Sequence, residues 1–296
     1  MIYDIRHVTT YRYASPVGSA RCTLRLAPVE GDGQRVIEHG LAIQPAPSGM
    51  VRRAGFGGGG AAFVTIEAPH AELRIEARSR VAVSRAAPPA DAAAPPWETV
   101  RDAAFASTSL GPRSPAQYLF ASRRVALDPA ISAYAARSFP AERSSLEGAL
   151  DLMRRIRADF AFAPGATDVA TPPAEAFRRR RGVCQDFAHV MIAGLRGLGL
   201  PAAYVSGYLR TVPPPGRPRL QGADATHAWV LAWCGEAPGW VGLDPTNGVI
   251  VENDHVELAR GRDYADVSPI DGVIVGGGAQ AVRVAVDVIP LEDVSR

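Results

Sequence analysis

The hydrophobic period of this chain shifts from strand-like to helical near its Ala/Pro-rich stretch, and that shift limits the fold more than any other feature. Up to about residue 83 the apolar side chains tend to recur at every second position, as strands require. Ile2–Tyr13 is rich in β-branched and aromatic residues, and Ala20–Leu26 alternates strictly, with Cys22, Leu24 and Leu26 on one face. Two further runs, 61–68 and 71–83, are split by Pro69. Several short strands in succession predict a sandwich-like β domain. Residues 86–96 are then almost entirely Ala and Pro, the composition of a stiff linker. Beyond them the period is helical.

Leu146, Leu150, Met153 and Ile156 mark one amphipathic helix, with Ser144 or Ser145 as its N-cap. A second helix starts at Gly182-Val183-Cys184. Its stripe is Phe187, Val190, Met191, Gly194, Leu195 and Leu198, and Ala188, Ala193, Gly194 and Gly197 suit close packing in a buried position. Gly199 and Pro201 end it. Strands are predicted at Ala202–Leu209, Thr226–Trp233 and Gly239–Asp244, with a Pro-rich excursion through Pro213–Gly216 between the first two. A last alternation, Val282, Val284, Val286 and Val288, predicts a strand returning to the N-terminal sheet. The expected organisation is a β-rich domain over 1–85, a linker over 86–97, an α+β core over 98–275 and the returning strand within 276–296.

Composition narrows the function classes. The 296 residues carry 32 Lys+Arg against 30 Asp+Glu, and a net charge of +2 argues against a nucleic-acid partner. With 47% hydrophobic and 21% charged residues the chain is neither disordered nor collagen-like. No window has the apolar length of a membrane helix, and the first residues, Met1-Ile2-Tyr3-Asp4-Ile5-Arg6-His7, are not a secretory signal. No membrane partner is expected, and a cytoplasmic location is. The oligomeric state is left open. The 3 cysteines, Cys22, Cys184 and Cys234, form neither a disulfide framework nor a zinc pattern. At least one thiol is therefore free, as buried filler or as a nucleophile.

Cys184 has the position of a nucleophile. Free N–H groups and the dipole at a helix start favour a thiolate, and the same N–H groups can face an oxyanion. Gly182 just before it removes side-chain bulk from a substrate's approach. A thiolate mechanism needs a base, and the base needs an orienter. His227 opens a predicted strand, with Trp229 and Leu231 on its face. Asp244 ends the next strand, so a hairpin would set it beside His227.

Four blocks carrying these residues resemble the transglutaminase-like superfamily. They are Arg181-Gly182-Val183-Cys184-Gln185-Asp186-Phe187-Ala188-His189, Tyr204-Val205-Ser206-Gly207-Tyr208, Asp224-Ala225-Thr226-His227-Ala228-Trp229-Val230 and Gly239-Trp240-Val241-Gly242-Leu243-Asp244-Pro245-Thr246-Asn247. The opening Tyr3–Tyr11 and the tail Gly261–Pro269 are similar to a bacterial cysteine-peptidase branch with a β-rich N-terminal region. The resemblance implies a papain-like α+β core, a helix bearing the cysteine packed on an antiparallel sheet. It implies Cys184 as nucleophile, His227 as general base and then acid, and Asp244 as orienter. The implied chemistry is hydrolysis of an amide, peptide or isopeptide bond in a peptide or protein-derived substrate. Acyl transfer to an amine is the alternative, and a non-catalytic peptide-binding module is a further one. The chain has neither the extra domains of the animal cross-linking enzymes nor an acidic calcium loop of EF-hand form, which favours hydrolysis.

Other features read as structural. Cys22 and Cys234 are taken as filler. His189 is a packed or capping histidine, and a metal site of Cys184, His189 and His227 is not expected. Gln185 could orient substrate or merely occupy the first helical turn. Trp229 and Trp240 could line an acyl groove or fill core. The run Arg178-Arg179-Arg180-Arg181 is either a solvated face or a charge acting on the thiol. Gly57–Gly60 reads as a loop. Gly276-Gly277-Gly278-Ala279-Gln280-Ala281 matches a dinucleotide fingerprint in form only, because too little chain follows for the rest of that fold. No cofactor and no metal are expected.

Overall fold

The computed structural model describes residues 1–55, 57, 59–86, 94–211 and 225–291. Most of the Ala/Pro stretch, the Pro213–Gly216 excursion and Asp224 lie outside the described residues. The N-terminal strands are β1 (Ile2–Ala27), β2 (Gln34–Gln44), β3 (Gly49–Ala54), β4 (Gly60–Ile66) and β5 (His70–Val83). Then come α1 (Trp97–Ala106), a 3-10 turn over Pro115–Tyr118, α2 (Pro129–Ala136), α3 (Ser145–Asp159), β6 (Ala161–Phe162), α4 (Pro173–Arg179) and β7 (Arg181–Gly182). The rest of the core is α5 (Cys184–Gly197), β8 (Ala202–Leu209), β9 (Ala225–Trp233), β10 (Trp240–Asp244), β11 (Val249–Ile250), β12 (His255–Gly261) and α6 (Tyr264–Val267). The chain closes with β13 (Ile270–Gly276) and β14 (Gln280–Leu291).

The N-terminal domain is one sheet folded over on itself rather than two separate ones. β1 runs through both halves. Its first half, Ile2–Tyr13, pairs with β14, and Ile2–Arg12 pairs with β5. Its second half pairs with β4 and β13. The register against β5 shifts between Arg12 and Val17, a stretch that contains Pro16. Proline cannot donate to the ladder, so the strand bends there. Leu24 and Leu26 from the second half then share a buried cluster with Leu73 and Ile75 of β5. β13 belongs to this sheet, which moves the core boundary ahead of residue 270 instead of the expected 275. Its valines lie in sequence beside the core but satisfy their backbone groups on β1.

The core is a five-stranded antiparallel sheet, β11-β10-β9-β8-β12, with helices packed on one face. α5 is buried along almost its whole length. Of the small residues foreseen for close packing, Gly194 and Gly197 lie against α2. A Cβ at Gly194 would stand 2.9 Å from Cβ of Ala135, and one at Gly197 would stand 2.0 Å from Oγ of Ser132. β6 and β7 form a short parallel pair that fixes the two residues ahead of Val183 and Cys184. Tyr3, Ile5, Val286 and Val288 of the N-terminal sheet pack against Tyr208, Val256 and Leu258 of the core sheet. Among the described residues no helix is long and apolar enough to cross a membrane.

Gly207 of β8 is opposite His227 of β9. A Cβ there would meet the Val256 carbonyl oxygen at 2.2 Å and the Trp229 ring at 2.3 Å. Neither backbone nor a buried indole can give way, so Gly207→Ala is expected to cost about 2–3 kcal/mol of stability. The shift of the urea unfolding midpoint measures it.

Candidate active site

Cys184 starts α5 and is half-buried, unlike Cys22 and Cys234, which are buried. Extended backbone at Val183 turns the chain into the helix. Asp186 reaches back, its Oδ2 accepting from the Val183 N–H at 2.8 Å and from Thr167 Oγ1 at 2.6 Å. Valine has no acceptor, so only this carboxylate half of a capping box exists. Burial raises the Asp186 pKa, and the hydroxyl of Thr167 and the Val183 N–H work against that shift. Gly182 makes room for this cap. A Cβ at 182 would stand 2.5 Å from the Asp186 carboxylate. As in any α-helix, the first N–H groups of α5 have no acceptor a full turn back.

The structure brings Cys184, His227 and Asp244 together. His227 Nε2–H donates to Asp244 Oδ2 at 2.8 Å. Burial alone would lower the His227 pKa, but hydrogen bonding to Asp244 and to Cys184, with the charges on both, raises it above its ordinary 6.5. With Nε2 committed to Asp244, Nδ1 is the nitrogen left for the thiol. Asp244 is wholly buried. Burial would raise its pKa, yet hydrogen bonds from His227 and His255, the charge of His227 and the Asn247 amide hold it far below 3.8. Its Oδ1 accepts the N–H groups of Thr246 at 2.9 Å and Asn247 at 3.2 Å, and Oδ2 also accepts Asn247 Nδ2 at 2.6 Å and His255 Nε2 at 3.3 Å.

Sequence reasoning missed three of these partners. Asn247 stands in the Asp244 block, but nothing in its spacing announces a donor. Thr167 and His255 lie in stretches without a motif. One ligand atom from each of His227, Asp244 and His255 falls within 4.8 Å of the others, a donor set of a kind that divalent cations accept. In the structure these residues are joined by hydrogen bonds.

The other expected residues are placed as follows. Trp229 is 1% exposed and lies edge-on to His255, so most of it fills core, and its remaining edge borders a cavity shared with Trp240. Trp240 lies edge-on to Tyr118 and donates its indole N–H to the Arg113 carbonyl at 3.0 Å. It lines a cavity of about 450 Å³ with Arg113 and Arg85, which Cys184 does not line. Gln185 is buried, and its amide donates to the Val169 carbonyl at 3.3 Å. His189 accepts from the Tyr264 N–H at 3.2 Å, and burial pulls its pKa down to about 4, as a packed histidine requires. In the arginine run, Arg179 pairs with Glu175. Arg180 stacks over Tyr134, Phe160 and Phe177 at 4.0–4.8 Å. Those contacts direct both side chains elsewhere than the thiol.

Residues 3–82 match the family described as Bacterial transglutaminase-like N-terminal region, and residues 132–245 match the Transglutaminase-like superfamily. An uncharacterized protein of Mycobacterium tuberculosis is 41% identical over 298 residues, covering 98% of this chain and 93% of its own length. The chain belongs to the transglutaminase-like superfamily. Its fold is also that of a crystal structure described as a "Putative Cysteine Protease" from Cytophaga hutchinsonii, with a TM-score of 0.75, 19% identity, and coverage of 99% of this chain and 92% of that one. A protein-glutamine gamma-glutamyltransferase of Pseudomonas aeruginosa is 39% identical over 77 residues, 26% of this chain and 11% of its own. Members of the superfamily are typically enzymes, and a cysteine-dependent activity fits the chain at this level.

The shifted pair makes stability depend on pH with a definite sign. The raised His227 pKa contributes stability that is complete below 6.5 and fades as pH climbs through the folded value. The depressed Asp244 pKa contributes stability that is complete above 3.8 and is lost as pH falls toward the folded value. Between those limits Asp244→Asn leaves a buried imidazolium unpaired and is expected to cost about 3 kcal/mol. The gap to the parent should narrow near pH ~9.5. Urea midpoints at about pH 5.5 and 9.5 check this, and an equal gap at both would count against a charged pair.

Proposed function

We propose that this protein is a cysteine-dependent hydrolase of an amide, peptide or isopeptide bond, working through a thioester. The observation that carries the reading is His227, hydrogen-bonded to Asp244 on one side and coupled to Cys184 on the other. His227 takes the thiol proton and the sulfur attacks the carbonyl carbon. The oxyanion is held by the N–H groups at the start of α5. His227 then gives its proton to the leaving nitrogen, the C–N bond breaks, and a thioester and an amine result. Water, deprotonated by His227, attacks the thioester. The carboxylic acid leaves and the thiol regains its proton. Asp244 stays ionised throughout, holding the imidazole and stabilising its cation.

The local match to a glutamyltransferase favours a second reading, in which an amine replaces water in the last step. One acyl-enzyme serves both, so partition of the thioester between water and an added amine separates them. Exclusive amide product at millimolar amine would replace the hydrolase reading by the transferase one.

Cys184→Ala should abolish turnover, and His227→Gln should slow it by at least about a hundredfold. Mass spectrometry after incubation with a peptide library should find an acyl adduct on Cys184 and none on Cys22 or Cys234. A parent-like rate in Cys184→Ala would end the proposal.

A further inference from the structure

Asp244 has a second histidine. His255, the first residue of β12, is 3% exposed, and its ring lies 6.1 Å from that of His227 and 5.3 Å from that of Trp229. Its Nε2–H donates to the same carboxylate oxygen that His227 uses, at 3.3 Å. In this tautomer Nδ1 carries only a lone pair, and it has no partner among the described residues. A buried ring that makes one polar contact is held for that contact, since leaving the other nitrogen unpaired costs stability.

The segment carrying His255 is in turn fastened by the N-terminal domain. Arg85 Nη1 donates to the Glu252 carbonyl at 2.9 Å and to the His255 carbonyl at 2.6 Å. The Arg85 N–H donates to Asn253 Oδ1 at 2.9 Å. Tyr3 O–H donates to Asp254 Oδ1 at 2.8 Å. Gln34 closes the row, its amide donating to the Glu257 carbonyl at 2.9 Å and its oxygen accepting the Glu257 N–H at 2.8 Å. Three residues of the N-terminal domain thus hold residues 252–257 on both sides of His255.

We propose that His255 is a positioning residue for the Cys184–His227 pair, and that the N-terminal domain supports the site through it by fixing residues 252–257. The inference rests on the thiol–imidazole reading above. His255 and the Asn247 amide hold the same carboxylate oxygen that His227 uses, so the carboxylate cannot turn and the imidazole keeps one orientation toward the sulfur. The charged and titratable groups around His255 are Asp244 and His227 at its Nε2 side, and Glu252, Asp254 and Arg154, which line the same cavity. Asp254 is paired with Arg210 and bonded to Tyr3.

The test reads the thiol itself, so it needs no known substrate. Alkylation of Cys184 by iodoacetamide is followed by mass spectrometry in the full chain across pH ~5–10. The variants are His227→Gln, His255→Gln, His255→Met and Arg85→Met. Gln and Met fill similar space at 255 and differ in the N–H donor. His255→Met should slow alkylation at neutral pH about tenfold and shift the pH profile. His255→Gln should stay within about twofold of the parent, and Arg85→Met should lose about threefold. A parent-like His255→Met, or a His255→Gln as slow as His255→Met, overturns the positioning role. A parent-like Arg85→Met overturns the part given to the N-terminal domain. Should His255→Met lose its fold, Arg85→Met against Arg85→Lys carries the test, with a slowed Met variant supporting the dependence and equal rates overturning it. A His227→Gln that leaves rate and profile unchanged brings down the thiol–imidazole reading, and this inference with it.

Discussion

The carboxylate of Asp244 is buried without access to water, and an isolated charge in that position would cost far more than a domain's net stability. Its environment has to supply every hydrogen bond and an opposite charge. Five donors do so, from the His227 and His255 rings, the Asn247 amide and the N–H groups of Thr246 and Asn247. They come from β9, from the turn after β10 and from β12. These pieces must therefore be in place together, and the sheet order β10-β9-β8-β12 is what brings them to one point.

β12 is the edge of that sheet, and an open edge leaves unpaired backbone groups. Here the N-terminal domain covers it. Gln34 behaves as a short piece of strand, meeting both backbone groups of Glu257. Arg260, buried with Glu257 of its own strand, adds a charge cluster that reaches the exposed Asp32 of the N-terminal domain. Tyr3, Val286 and Val288 seal the apolar side against Val256 and Leu258. The two domains share one packed and hydrogen-bonded boundary, and its polar part ends at the strand that carries His255. This continuity is the route by which the proposed support from the N-terminal domain would reach Cys184.

Much of this was legible from residues alone. Cys184, His227 and Asp244 stand in blocks whose order implies their roles, and the stripe of α5 predicts a buried helix starting where the structure starts it. Cys22, Leu24 and Leu26 share a buried face as the alternation implies. The fold of the N-terminal sheet was harder to read. Pro16 makes β1 look like two strands, and only the pairing of both halves to different partners shows that it is one. Gly182 illustrates a different limit. Its small size pointed to substrate, but the nearest atom is the Asp186 carboxylate in the first turn of α5. His255, Thr167 and Asn247 left no signal, because a single donor aimed at a distant carboxylate imposes neither a period nor a spacing. From its place on the strand Trp229 could be either a groove residue or core. The close approach of Gly207, which turns it into core, appears only in three dimensions.

The sheet sets the charge pair, while α5 sets the sulfur, so the Cys184–His227 geometry depends on how deeply the helix sits on the sheet. That depth is governed far from the thiol. Gly194 and Gly197 face Ala135 and Ser132 of α2 at distances that allow no added methyl, so α2 presses α5 toward β9 as closely as backbones permit. At the other end, Arg196 is held in place by the carbonyls of Phe120, Ala202 and Arg262, which anchor the last turn of the helix to the loops around it. The N-terminal turn is fixed by Asp186 and by the β6–β7 pair. With both ends and the middle pinned, the helix has no freedom to translate. The sulfur is presented to an imidazole that is itself fixed through Asp244. Preorganisation of this kind comes from packing that any core could supply. What is particular to this chain is that the two fixed bodies meet at a thiol and a raised-pKa histidine.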